Sequence, residues 1–89
     1  MQSPPGTEQF FNNLCREVWA ERLRQTKLWG TEAFQTRASG NPGYNRSKCI
    51  VLTEEIGEVA KAVLEEDSEN LREELIQVTA VAMAWLETL

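Results

Sequence analysis

The sequence predicts an all-α fold in which an N-terminal helix precedes a hairpin of two further helices. Apolar residues recur every three or four positions in three separate segments, which is the spacing of a helix surface. No segment alternates apolar and polar residues as a half-buried strand does. At 89 residues the chain is expected to form one domain over 7–89 after a flexible N-terminus, 1–6.

Composition limits the possible chemistry. The chain has no histidine, which excludes Ser-His and Cys-His nucleophilic sites, His-ligated zinc and a His general base. The two cysteines, Cys15 and Cys49, lie in no metal-binding or redox pattern, and we expect small, partly buried thiols in a reducing compartment. Residues 1–6 lack the basic and apolar regions of a signal peptide, and no apolar run is long enough to span a membrane. A cytoplasmic location is therefore expected.

Charge is distributed unevenly along the chain. Residues 1–48 contain seven Lys or Arg and four Asp or Glu, whereas residues 49–89 contain two Lys or Arg and ten Asp or Glu. The acidic half of the chain, 49–89, argues against nucleic-acid binding, because binding to the phosphate backbone requires a basic surface. It suits either metal binding or a solvated helical face.

The first helix is expected to run from Glu8 to about Trp29. Thr7 is a suitable N-cap, and the acidic Glu8 is favourable in the first turn. Gly30 is the expected stop. The apolar residues of this segment follow helical spacing: Phe10, Phe11, Leu14, Val18, Trp19, Leu23 and Leu28.

Residues 30–46 are expected to form a loop, because 38–43 reads Ala-Ser-Gly-Asn-Pro-Gly. The second helix should begin at about Asn45 or Ser47 and end at Glu66. Leu52, Ile56, Val59 and Val63 form a heptad-like apolar stripe. Further apolar residues widen it, so we expect this helix to be contacted on more than one side: Ile50, Val51, Ala60, Ala62 and Leu64. Gly57 is unfavourable within a helix by roughly 1 kcal/mol relative to Ala, and a close helix contact, the close approach of a ligand or a tolerated defect would explain it.

The third helix should begin after a cap at Asp67 or Ser68 and continue to the C-terminus. Residues 76–86 are almost wholly apolar. A helix that is apolar on all sides is buried on all sides, and one short partner helix cannot cover it. We therefore predict a subunit interface on this helix, which would also enlarge the core of a small domain.

Carboxylates are concentrated around the predicted hairpin. Glu55 and Glu58 are three residues apart on the second helix, and Glu74 and Gln77 repeat that step on the third, so each pair shares one helix surface. An antiparallel hairpin would bring the two pairs face to face. Like charges held close together are unfavourable unless a cation lies between them, and hard divalent cations take oxygen ligands. The alternative is that these residues are ordinary helix formers on a solvated face.

The same residues carry a resemblance to a known family. The segment Glu54-Glu55-Ile56-Gly57-Glu58-Val59-Ala60-Lys61-Ala62, followed by Glu73-Glu74-Leu75-Ile76-Gln77-Val78, resembles the all-α nucleoside triphosphate pyrophosphohydrolases of the MazG type. That family has E-x-x-E on one helix and E-x-x-D on the next. The resemblance covers about residues 50–86 and extends more weakly to 24–30.

The resemblance implies a function and an assembly. It implies Mg²⁺-dependent cleavage of a (d)NTP to a (d)NMP and pyrophosphate, in nucleotide-pool house-cleaning, with Mn²⁺ as a possible substitute. It implies that Glu55, Glu58, Glu74 and Gln77 occupy the metal positions, with Glu55 and Glu58 as catalytic residues. It also implies that two protomers form a four-helix core, as a homodimer or a homotetramer. An acidic site can bind a polyphosphate only through bridging cations, which is consistent with this chemistry.

Gln77 departs from the family pattern, which has Asp at this position. An amide offers a neutral oxygen ligand, so the affinity for Mg²⁺ should fall. The site could retain metal through three Glu, with Glu54 or Glu73 assisting, or serve another reaction, or be a remnant. The alternative function is therefore a non-catalytic oligomeric helical module, for interaction or nucleotide binding, with a degenerate metal site.

Candidate substrate-binding residues surround the predicted loop and the second helix. Aromatic side chains can stack on a base, and cations can meet phosphates. A core aromatic and a solvated cation are the alternatives at these positions, and for Lys61 a pair with Glu65 four residues later. The predicted substrate-binding residues are Trp29, Tyr44, Arg46, Lys48 and Lys61, with Phe34 and Arg37 as further loop candidates.

Overall fold

A computed structural model of the protein describes residues 3–29 and 42–89, with side chains described for 3–27 and 43–89. It contains three helices: α1 (Glu8–Trp29), α2 (Pro42–Leu64) and α3 (Ser68–Leu86). The described residues contain no strand, and the predicted all-α class is confirmed. Helix α3 is central, because both α1 and α2 pack against it.

Helix α1 begins where its capping chemistry predicts. The Thr7 hydroxyl oxygen accepts a hydrogen bond from the backbone N–H of Phe10 at 3.2 Å, and Glu8 lies in the first turn. The helix continues to Trp29, the predicted end. Gly30, the expected stop, lies outside the described residues.

Helix α2 begins earlier than expected. It starts at Pro42, so residues 42–46 of the expected loop are helical. Proline is favourable in the first turn, because its fixed φ suits a helix and its missing N–H would have no partner there. Pro42-Gly43 is also typical of a loop. Because the two preferences compete, the sequence prediction places the start of α2 too late.

The inward stripe of α2 also differs from the predicted one. Ile56 and Val63 are 52% and 55% exposed, whereas the buried residues on this helix are Tyr44, Lys48 and Ala62. Glu55 is half-buried on the same face. Within the described chain, α3 therefore covers the face that carries Glu55 and Ala62, and the Ile56–Val63 part of the predicted stripe is left exposed.

Three residues connect α2 to α3. The N–H of Asp67 donates to the carbonyl of Ala62, and the N–H of Glu66 donates to that of Val63, both at 3.1 Å. Glu66 has φ +55°, in the left-handed region. This is a Schellman motif, which ends α2 at Leu64 and not at the predicted Glu66. The Asp67 carboxylate then accepts from the N–H of Asn70 at 3.1 Å, which confirms a predicted cap of α3.

The core along α3 is formed mainly by small residues. Ala80, Val81 and Ala84 are at most 1% exposed, so the neighbouring helices approach this part of α3 closely. Trp85 is half-buried, and its indole Nε1 donates to Asn45 Oδ1 of α2 at 2.9 Å. Arg72 of α3 makes a two-pronged ion pair with Glu17 of α1 at 2.7 Å. These polar contacts join both outer helices to α3.

Large apolar side chains remain exposed on all three helices. Leu64 is 84% exposed, and Met83 and Leu86 lie in the apolar segment of α3 for which an interface was predicted. Cys15 and Cys49 are exposed in the single chain. The expectation of partly buried thiols is therefore wrong for the isolated protomer. The other exposed apolar residues are Phe11, Trp19, Leu23, Ile50, Ile56, Val63, Leu75 and Leu89.

None of the three helices, over 3–29 and 42–89, combines the length and apolarity needed to cross a membrane.

Candidate functional site

The hairpin brings two of the predicted carboxylates, Glu55 of α2 and Glu74 of α3, into electrostatic contact. Both side chains are half-buried. Burial raises the pKa of Glu55, and the negative charges of Glu74 and then Glu58 raise it further. The antiparallel turn at 65–67 therefore places these residues as the sequence predicted, on the facing surfaces of two successive helices.

Each of these two carboxylates has an oxygen without a partner among the described residues. The Oε2 atoms of Glu55 and Glu74 are fully shielded and accept no hydrogen bond from residues 3–29 or 42–89. Shielding an anionic oxygen without a partner is costly, and a bound cation is one way to recover that cost. Carboxylate oxygens are the ligands that Mg²⁺ prefers, so this donor set fits the predicted ion.

The remaining two predicted metal ligands, Glu58 and Gln77, lie in different surroundings from Glu55 and Glu74. Glu58 is exposed, one turn after Glu55, and its charge acts on Glu55. Gln77 is half-buried and lines a groove between α1 and α3, where Glu21 and Arg24 are among its neighbours. Among side chains 3–27 and 43–89, no three acidic or thiol groups converge as a ready-made metal site. The carboxylates interact across space without meeting at one point, as like charges do.

Helix α1 contributes groups to this region that the sequence reasoning did not select. Glu21 is only 11% exposed and accepts two hydrogen bonds from Arg24, from Nε at 2.7 Å and from Nη2 at 2.6 Å. The negative charge of Glu21 contributes to the raised pKa of Glu55, and that of Glu55 contributes to the raised pKa of Arg24. Helix α1 therefore places a carboxylate and a guanidinium beside the hairpin carboxylates.

Gln25 completes this group. The residue is 2% exposed, and its amide nitrogen donates to Glu21 Oε2 at 3.0 Å. The oxygen of the same amide group is buried and has no hydrogen-bond partner in the part of the chain that the structure describes. The signal was present in the sequence, because Glu21 and Gln25 continue the inward face begun by Leu14 and Val18 with polar residues.

The predicted substrate-binding residues are divided between the interior and the surface. Tyr44 and Lys48 are 5% and 6% exposed, and the Lys48 ammonium lies 5.6 Å from the centre of the Tyr44 ring. Arg46 and Lys61 are exposed, and no ion pair joins Lys61 to Glu65 in the described chain. The Trp29 side chain, Phe34 and Arg37 lie outside what the structure describes. Their roles stay predictions.

Lys48 is close to a second cation. Burial lowers the pKa of its ammonium, and the positive charge of Arg22 lowers it further. Arg22 itself forms an ion pair with Glu87. Lys48 and Glu55 lie on one face of α2, seven residues and therefore about 10 Å apart along the helix. The inner face of α2 thus carries a cationic side chain, Lys48, and about two turns later an acidic one, Glu55.

Comparison with known families identifies the segment that carries this arrangement. Residues 45–85 match the model of the MazG nucleotide pyrophosphohydrolase domain. This match supports membership of the MazG-like nucleotide pyrophosphohydrolase superfamily. The matched MazG-like segment contains most of α2, the turn and nearly all of α3, with all four predicted metal positions. No curated protein and no solved structure was found to match the chain.

Gly57, within the MazG-like motif, meets no close neighbour. A Cβ added at this position would have no atom within 4 Å other than the local helix backbone. Of the three explanations for this glycine, a close helix contact is not observed in the described part of the chain. The close approach of a ligand and a tolerated residue of low helix propensity stay predictions.

Proposed function

We propose that this protein is a divalent-cation-dependent nucleoside triphosphate pyrophosphohydrolase that cleaves a (d)NTP to a (d)NMP and pyrophosphate. The observation that carries the proposal is the pair of shielded, unpartnered carboxylate oxygens on Glu55 and Glu74. They come from the two helices that match the MazG nucleotide pyrophosphohydrolase domain. A solvated-face interpretation does not account for half-buried carboxylates that repel each other.

The proposed roles follow from where each group lies. Glu55, Glu58 and Glu74 would hold Mg²⁺, or Mn²⁺ in its place, with Gln77 as a neutral oxygen ligand. The bound cation would neutralise the triphosphate and lower the pKa of a coordinated water. Glu55 and Glu58 are adjacent on α2 and are the carboxylates available to accept the proton of the attacking water. Lys48 provides positive charge on the same face for the phosphate chain.

Assembly belongs to the proposal. Ile50, Ile56, Val63 and Leu64 leave one side of α2 apolar and exposed, and Leu75, Met83 and Leu86 do the same on α3. Exposed apolar surface of this extent indicates a protein interface. We propose that copies of this chain associate through it as a homodimer or a homotetramer.

The decisive experiment is a substrate panel. Purified protein is incubated with canonical and modified (d)NTPs and Mg²⁺ or Mn²⁺, and pyrophosphate and monophosphate are quantified together. We expect equal amounts of the two products from at least one nucleotide, loss of product with a chelator, and loss in Glu55→Gln. Absence of product from the whole panel, together with no Mg²⁺ binding by calorimetry, would favour the non-catalytic module.

A further inference from the structure

One side of α2 is left uncovered by the rest of the described chain, and its exposed residues form a continuous surface, the α2 face. At about 100° per residue, Thr53 and Ala60 lie along the centre of this face, with Gly57 beside them. Larger exposed side chains border the centre on both sides: Ile50 and Leu64 on one, and Cys49, Ile56 and Val63 on the other. The α2 face is therefore shallow along its centre and bulky at its edges.

Gly57 marks where another helix can approach the α2 face most closely. A Cβ added there would meet nothing within 4 Å, so the space above Gly57 is open in the single chain. Helix axes come closest where the side chains between them are small. A helix packed on the α2 face would therefore contact the backbone near Gly57, and those contacts would offset the low helix propensity of glycine.

The two ends of the α2 face differ in charge. Arg46 is exposed at the N-terminal end, seven residues before Thr53 and on the same side of the helix. Beyond the C-terminal end, the turn into α3 carries exposed carboxylates: Glu65, Glu66 and Asp67, followed by Glu69. Two copies of α2 packed in opposite directions bring the cationic end of each to the acidic end of the other. Packed in the same direction, they would bring the two acidic turns together, which is unfavourable.

We propose that the α2 face is covered by the α2 face of a second copy, with the two helices antiparallel about a twofold axis between Ile56 and Gly57. This inference rests on the assembly included in the proposed function and gives that assembly an orientation and a register. In a twofold interface the same patch serves both copies, so residues at equal distances from the axis meet. The charges favour the antiparallel orientation, and an axis beside Gly57 puts the closest approach at the centre.

The register assigns a contact to each part of the α2 face. Thr53 meets the partner's Ala60 along the centre, and Cys49 meets the partner's Val63 along one edge. Arg46 reaches the partner's acidic turn, 65–67, at about 16 Å from the axis. Arg46, a candidate for substrate binding, is thereby assigned to assembly.

The test is disulfide trapping in a Cys15→Ser background, which leaves Cys49 as the one native thiol. Val63→Cys places a thiol opposite the partner's Cys49. Within one chain the two positions are 14 residues, or about 21 Å, apart along α2, which is too far for a disulfide. Under mild oxidation we expect a covalent dimer, in which mass spectrometry finds Cys49 joined to the introduced thiol. Adding Cys49→Ser should abolish the link.

Lys61→Cys is the matched control, because Lys61 is exposed two residues before Val63 and on the opposite side of α2. It should give no covalent dimer. A second pair tests the centre of the face: with both native cysteines replaced by serine, Thr53→Cys and Ala60→Cys should each fail to link alone and should link when mixed. Sedimentation under reducing conditions establishes that each variant still associates.

Arg46→Glu tests the charge argument without a cross-link. It should raise the Kd for association about fivefold or more, because each copy then presents a carboxylate to the partner's acidic turn. Sedimentation across a dilution series measures the change.

The outcomes separate this inference from the function on which it rests. A wild type that is monomeric at all concentrations removes the proposed assembly, and the substrate panel tests catalysis independently. If the wild type associates but neither cysteine pair links, the orientation and register alone are overturned. A link that survives Cys49→Ser, equal linking in Lys61→Cys, or an unchanged Kd in Arg46→Glu would also overturn them.

Discussion

At the scale of single residues, the site is a set of carboxylates whose mutual repulsion is visible in Glu55. Its pKa is raised first by burial and then by Glu74 and Glu58. The spacing of Glu55 and Glu74 was sufficient to predict that they face each other, since helical periodicity and one short turn determine that geometry. Glu21 and Gln25 were missed although they continue the inward face of Leu14 and Val18, because spacing alone does not show which helix that face meets.

The first prediction concerns Glu55→Gln. Without added metal, the variant should be more stable than the wild type by up to about 1 kcal/mol, or roughly 4–8 °C in Tm, because one partly buried like charge is removed. With Mg²⁺ in excess, the wild type should gain stability and the variant should gain much less, since a ligand stabilises the state that binds it. Differential scanning fluorimetry with and without Mg²⁺ measures both effects.

The matched control is Glu65→Gln, at an exposed carboxylate beyond the end of α2. It should retain the full metal-induced rise in Tm. A Glu55→Gln variant that is less stable than the wild type without metal would contradict the description of Glu55 as a repelled carboxylate.

At the scale of the helices, the observed boundaries show which local sequence signals determine where a helix begins and ends. The caps at Thr7 and Asp67 were predicted from residues whose side chains accept hydrogen bonds from the first turn. The end of α2 was not predicted, because the usual signal is a glycine and the chain has Glu66 there. The start of α2 was also misplaced, since Pro42-Gly43 favours both a loop and a first helical turn.

The second prediction concerns this turn. Glu66 has φ +55°, and a left-handed conformation costs a residue with a Cβ roughly 1–2 kcal/mol. Glu66→Gly should raise the free energy of unfolding by about 0.5–1 kcal/mol, because the greater freedom of the unfolded chain offsets part of the gain. Glu66→Val should lower it by about 1 kcal/mol or more. Urea denaturation followed by circular dichroism measures both.

Glu69→Gly is the control for a general effect of glycine, since Glu69 lies in the first turn of α3, where the acidic side chain is favourable. That variant should be less stable than the wild type. Equal destabilisation by Glu66→Gly and Glu69→Gly would exclude the relief of a left-handed residue as the cause.

At the scale of the whole molecule, the three helices leave much apolar surface uncovered. The apolar character of both hairpin helices predicts a subunit interface, and that interface stays a prediction. This apolar character was not sufficient to predict which face of α2 turns inward, because Ile56 and Val63 are more apolar than Glu55 and Ala62. The inward face is the one that brings Glu55 to Glu74, with the bulkier residues left outside.

The third prediction tests association. Ile50 is 60% exposed on the uncovered side of α2, and Ile50→Glu places a charge in the proposed interface. We expect the wild type to sediment as a dimer or a tetramer and Ile50→Glu to shift towards the monomer with a lower Tm, since a buried unpaired charge is strongly unfavourable. Analytical ultracentrifugation across a dilution series measures the shift.

Ser47→Glu introduces the same side chain at an exposed polar position of α2 and should leave the sedimentation unchanged. A monomeric wild type at all concentrations would contradict the proposed assembly, whatever the effect of Ile50→Glu.

The three-residue turn has a consequence for how such a chain can change in length. Asp67 ends the Schellman motif and also caps α3, so the connection contains no spare residue. A residue inserted or deleted within α2 after Glu58, or within α3 before Glu74, would rotate one carboxylate pair by about 100° about its helix and carry Glu74 away from Glu55. The number of residues between the two carboxylate pairs is therefore constrained by the requirement that Glu55 and Glu74 face each other. Insertions and deletions compatible with a working site are expected before α2 or after α3.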